Sequence, residues 1–217
     1  MKTDAQLQQD VMAELRWEPS IHAERIGVEV SDGVVRLSGL VDNFAEKWNA
    51  EHAARRVRGV NVMVTELRVH LPAPSQRSDG DIARAVQHLL DWNALLPADA
   101  IKVMVEAGWV TLSGDVKWSY QKQAATEGIK SLIGVVGVND EIFIEPAENV
   151  PASRQDIEAA LRRSAVMDAD SIGVSIDGAE VTLSGSVRSC SERETASHVA
   201  WASPGVRKVL NKIMVVY

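Results

Sequence analysis

The residue types that active sites use most often are sparse in this chain and poorly spaced for catalysis. Its five histidines, His22, His52, His70, His88 and His198, form no pair at i+3 or i+4. That spacing would set two imidazoles on one helix face toward a metal ion. The single cysteine, Cys190, falls in a stretch read as a loop, with no carboxylate placed to orient His198 as its base. No thiolate nucleophile is therefore expected, and one cysteine excludes an internal disulfide framework. There is no Walker motif, and the glycines punctuate apolar runs instead of leading a phosphate loop into a helix. Acidic groups such as Asp4, Asp10, Glu14, Asp79 and Asp81 read as solvated helix faces. The expectation is a protein with no catalytic residue, no metal and no cofactor.

What remains is the chemistry of contact. Arg55, Arg56 and Arg58 stand close together with Lys47 upstream. On a helical wheel Trp48, His52 and Arg55 cluster opposite a face of Ala50, Ala53 and Ala54, so Trp48 is expected to be exposed. Two readings follow. The patch packs against a neighbouring domain or protomer, or the indole sits among lipid headgroups while arginine meets phosphate. Trp109, of outward parity beside a turn, is the second candidate, and Trp201 falls away from the apolar face of its helix. Trp48, His52, Arg55, Arg56 and Trp109 are thus the candidate partner or lipid contacts. Trp17 and Trp92 occupy equivalent slots nine residues before an alternating run, and both are expected to plug a helix against its own core. Trp118 is expected to cover a core edge.

The elements that position these side chains come from a phrase written three times. It reads I-x-V-x-V-x-x-G-x-V-x-L-x-G-x-V from Ile26, again from Ile101, and with Ile176 and Ala179 as replacements from Ile172. The starts lie 75 and 71 residues apart, a spacing suited to small domains more than to solenoid repeats. Apolar residues alternate on both sides of Ser31-Asp32-Gly33, Ala107-Gly108 and Asp177-Gly178-Ala179, which predicts a β-hairpin in each copy. In the third copy glycine comes one residue early, so turn type or register is open there. Gly39, Gly114 and Gly185 lie inside the second strand and mark a close approach by another element, read as a packed helix.

After each hairpin, small residues recur at helical spacing: Ala50, Ala53 and Ala54, then Ala125, Gly128 and Ile129, then Ala196, Val199 and Ala200. A glycine, a valine and a last alternating strand follow. Before each hairpin an amphipathic helix is carried by Leu7, Val11 and Leu15, by Ile82, Val86, Leu89 and Leu90, and by Ile157 and Leu161, with Ser78 and Ser153 as caps. The order αββαβ, with a right-handed β-α-β crossover, predicts three tandem α+β domains. Each is a three-stranded mixed sheet with two helices packed on one face. The expected domains are residues 1–71, 78–146 and 152–217.

With this phrase, and with the tail G-V-x-x-[apolar]-x-x-x-[apolar]-x-[apolar] from Gly59, Gly134 and Gly205, the chain resembles the BON family in three tandem copies. The usual asparagine of that tail is kept at Asn211 but is Thr65 and Glu141 in the other copies. The resemblance implies the same fold. It also implies non-enzymatic binding modules of the kind found in osmotically induced and envelope-associated bacterial proteins, attached to phospholipid or to protein partners. The reading is a binding and scaffolding protein of a bacterial stress or envelope role, with protein partners or self-association. The alternative is a peripheral phospholipid binder of the osmotic stress response.

A net charge of −7 over 217 residues argues against nucleic acid as a partner and leaves only weak affinity for anionic lipid. The first seventeen residues lack the apolar run of a signal peptide, which places the chain in the cytoplasm as an expectation. Prolines at 72 and 74, and at 146 and 151, stiffen short linkers, so semi-rigid beads able to dock on one another are expected.

Overall fold

A computed structural model of the chain describes residues 2–145, 152–163 and 171–216. Unit 1 runs α1 (Asp4–Trp17), β1 (Ile26–Ser31), β2 (Val34–Val41), α2 (Phe44–Arg56) and β3 (Val62–Val69). Unit 2 repeats this as α3 (Asp79–Asp91), β4 (Ile101–Glu106), β5 (Trp109–Val116), α4 (Ser119–Ile129) and β6 (Gly137–Ile144). Unit 3 does so as α5 (Arg154–Arg163), β7 (Ile172–Asp177), β8 (Glu180–Val187), α6 (Cys190–Trp201) and β9 (Lys208–Val215). Much of the second linker lies outside the described residues. Three mixed sheets result, ordered β1-β2-β3, β4-β5-β6 and β7-β8-β9. In each, the hairpin pair is antiparallel and the crossover pair parallel.

The alternating residues do what a half-buried strand requires. In unit 1, Val28, Val35 and Leu37 are buried with Leu7, Val11 and Leu15 of α1 and Ala50, Ala53 and Ala54 of α2. The alanines let α2 lie close to the sheet, and each large aliphatic side chain so buried contributes about 1.5–3 kcal/mol. Units 2 and 3 have matching clusters around Leu112 and Leu183. Thr3, Ser78 and Ser153 cap the first helices by accepting the amides of Gln6, Asp81 and Asp156.

Two details depart from the sequence expectations, and a third resolves the turn left open in unit 3. The strand glycines are required by backbone, not by a packed helix. A Cβ at Gly39, Gly114 or Gly185 would run into the carbonyl of Arg25, Ala100 or Ser171, the residue entering the first strand, and all three glycines have positive φ. Nor are Asp4 and Asp79 merely solvated. Asp4 accepts the amides of Asp32 and Gly33 at 2.8 and 3.2 Å, and Asp79 accepts those of Ala107 and Gly108 at 2.9 Å each. Each carboxylate thus clamps its own hairpin turn to the start of the first helix. Both turns have two successive residues at positive φ, the type I′ geometry (Asp32 52°, Gly33 74°; Ala107 49°, Gly108 78°). Unit 3 keeps the register, Ile172 opposite Gly185 as Ile26 is opposite Gly39, but changes the turn. There only Gly178 is at positive φ (59°), the type II′ pattern, and Arg154 stands where the clamping aspartate would be.

Candidate binding surfaces at the junction of the units

The face of α2 opposite its alanines meets the other two units. Phe44 packs against the core of unit 2. One turn on, Trp48 is half-buried and stacks on His52, with ring centroids 3.5 Å apart and planes 22° from parallel. The ammonium of Lys130, just past α4, lies 3.9 Å from the centre of the Trp48 ring, a cation–π contact of about 0.5–1 kcal/mol or more. Toward unit 3, Arg55 Nη1 reaches Glu194 Oε1 on α6 at 2.7 Å. Gly59 donates its amide to the Arg188 carbonyl at 3.4 Å. One helix therefore carries contacts to both neighbours.

His52 sits at the centre of this junction. Its Nδ1 is 3.0 Å from the Trp48 carbonyl; a carbonyl only accepts, so Nδ1 carries the proton in the neutral ring. Burial pushes the His52 pKa below 6.5, opposed by the Trp48 carbonyl and Glu194 and assisted by Arg55 and Lys130. The neutral imidazole suits a site already holding two cations.

Cys190 belongs to the same seam. It is the first residue of α6, not part of a loop, and it is buried. Its thiol donates to the Val60 carbonyl of unit 1 at 2.9 Å. Burial raises the thiol pKa, which is the opposite of nucleophile activation. Ser189 caps α6 and Glu192 reaches back to the Arg188 amide at 2.8 Å, a pairing repeated by Asn43 with Glu46 in α2.

His22, Asp42 and Glu46 bring metal-type donor atoms within 4.8 Å of one another. The Glu46 oxygens are already taken by the amides of His22 and Asp42 at 2.8 and 2.9 Å, and Asp42 pairs with Arg25 at 2.8 Å. The trio works as a clasp on the entry to α2.

Of the five candidate contacts, the structure gathers Trp48, His52 and Arg55 at the junction and sets the other two elsewhere. Trp48 is not a free surface residue: docking of the units covers the face expected to be exposed. Arg56 turns to α1, where it meets Glu14 and Glu18 at 3.1 and 3.5 Å. Trp109 lies on the open face of the second sheet with its ring laid over Gly137, leaving no room for a Cβ there. Trp201 is half-buried against the core of unit 3 and does not fall away from it. Trp17 and Trp92 plug nothing, being 83% and 87% exposed at the ends of α1 and α3. Lys130, Glu194 and the buried position of Cys190 were not found from sequence. The Ser189-x-x-Glu192 capping pattern does mark Cys190 as the first residue of a helix, though not its burial.

Three αββαβ units, joined through their second helices and lacking any assembled nucleophile–base pair among the described residues, define a tandem binding-module architecture. The BON domain model matches residues 3–70, 78–146 and 151–217, and the chain belongs to the BON domain family. It is similar to Osmotically-inducible protein Y of Escherichia coli (strain K12), with 27% identity over 139 residues, covering 60% of this chain and 69% of that protein. Two solved chains of CdsD, a structural protein of the type III secretion system of Chlamydia trachomatis, are 17% identical with TM-scores of 0.27 and 0.25. They cover 96% and 100% of this chain, and 91% and 100% of their own lengths. Structural similarity this low carries nothing about assembly here. No helix among the described residues is long and apolar enough to cross a membrane.

Proposed function

We propose that this chain is a non-enzymatic binding and scaffolding protein of a bacterial osmotic or envelope stress response, engaging protein partners or further copies of itself. The observation that carries this reading is the α2 face. Trp48, His52 and Arg55 are spent on holding units 2 and 3, so three small modules present their outer surfaces as one platform. Linked patches of modest affinity multiply one another when their spacing is fixed. The resemblance to an osmotically inducible protein supplies the stress setting. In this reading Trp109 and the open sheet face around it are partner contacts, and Trp48, His52 and Arg55 set the geometry of the platform.

A second reading, peripheral binding to phospholipid, is favoured by Trp17 and Trp92, which project at equivalent sites of two units. Against it stand the net charge of −7 and the acids Glu14, Glu18 and Asp91, near those tryptophans in sequence. Cosedimentation with anionic liposomes separates the two. The platform reading expects at most weak pelleting that disappears as salt rises. Tight pelleting at high salt, lost in a Trp17→Ala/Trp92→Ala double variant, would replace it with the lipid reading. Cell fractionation tests the cytoplasmic expectation.

A further inference from the structure

A cleft of about 580 Å³ opens between units 2 and 3, lined by α4 and the end of β6 on one side and by α6 and Arg207 on the other. The volume falls within the range of small-molecule sites. Two aromatic rings belong to it: Phe143, 70% exposed on the last strand of unit 2, and Trp201, anchored in the core of unit 3.

The charges of the cleft are unequally matched. Asp140 is met by Lys122 at 3.2 Å, and the same ammonium donates to the Ile142 carbonyl at 2.7 Å. Glu194 is met by Arg55. Arg207 is exposed, and its guanidinium has no hydrogen-bonding or ion-pair partner among the described residues. His198 accepts the Gln123 amide through Nδ1 at 3.1 Å, so its neutral ring carries a donor on Nε2. The cleft thus holds one uncommitted cation, one uncommitted N–H and two aromatic surfaces, with both acids neutralised.

We propose that this cleft binds a small organic monocarboxylate with an aromatic or compact apolar body. The carboxylate meets the planar fork of Arg207, whose geometry matches it, and the body lies against Phe143 and Trp201. A phosphate dianion fits less well, since Lys122 is already engaged and Arg207 alone is left to meet two charges.

The test titrates the full chain with 3-phenylpropionate and, separately, with its uncharged isostere 3-phenylpropanamide, following Trp201 and Phe143 signals by NMR. The acid is expected to bind and the amide to bind at least about tenfold more weakly, the cost of one charge-assisted hydrogen bond. Arg207→Gln, at an exposed site, should weaken the acid by a similar factor and leave the amide unchanged, and Phe143→Ala should weaken both. Equal binding of acid and amide overturns the proposal, as does an unchanged acid affinity in Arg207→Gln, or no perturbation of either ring by the acid. Should Arg207→Gln shift the thermal midpoint, the acid–amide comparison and Phe143→Ala decide the matter.

Discussion

The hairpins of units 2 and 3 share one register and one buried pattern but differ at the turn and in the crossover pair beside it. At the strand pair beside the turn, unit 2 places Trp109 opposite Gly137, with the ring covering the glycine, whereas unit 3 places Glu180 opposite Lys208 in an ion pair of 2.8 Å. Unit 1 has Val34 opposite Val62 at the same point. Asp79 clamps the turn in unit 2, and Arg154 leaves that of unit 3 without such a clamp. Aromatic cover, aliphatic contact and an ion pair are thus interchangeable at a surface pair. The strand glycine is not, because its Cβ would meet backbone in every unit.

The largest effect should come from the shared feature. Gly114→Val and Gly185→Val each face a carbonyl that cannot move aside without unseating the hairpin, and each should cost about 3 kcal/mol or more. An unchanged unfolding midpoint in either would break the claim that the units share one requirement. Next comes the clamp: Asp79→Ala removes two charge-assisted hydrogen bonds from turn amides and should cost about 1–3 kcal/mol. Arg154→Ala, its counterpart in unit 3, should be near neutral by chemical denaturation, and a loss equal to that of Asp79→Ala would abolish the contrast. Third, Trp109→Ala uncovers Gly137 and should cost about 1 kcal/mol. Glu180→Ala breaks an exposed pair and should cost no more than about 0.5 kcal/mol.

The smallest expected effect is a dependence on pH that belongs to the junction. Because folding holds the His52 pKa below 6.5, the unfolded chain binds more protons between the folded value and 6.5. Stability therefore rises with pH through that window and is lost as pH falls below 6.5. His52→Gln should flatten this slope in thermal melts taken at pH 5 and pH 7.5; an undiminished slope would remove His52 as its source.

The fold was legible because each element is specified locally. Alternation around Gly33, Gly108 and Gly178 names the strands, and the spacing of Leu7, Val11 and Leu15 names a helix face. The same helical arithmetic, carried two residues past Leu15 or Leu90, turns Trp17 and Trp92 about 200° away from the core, so helical periodicity alone accounts for their exposure. The clamp was also within reach, since Asp4 and Asp79 follow their caps at one slot and Arg154 breaks the series where the turn glycine shifts. The junction was not readable. Periodicity shows that Trp48, His52 and Arg55 share a face but cannot say that Lys130 and Glu194, far along the chain, will meet it. That information resides in the docking of whole units.

Cys190 gives this docking a chemical clock. The thiol is covered because unit 1 sits against α6 and accepts its proton through the Val60 carbonyl. Any separation of units 1 and 3 would free that thiol to a water-soluble alkylating reagent. The rate of its alkylation then counts how often the platform opens, with no residue substituted and no cross-link introduced beforehand.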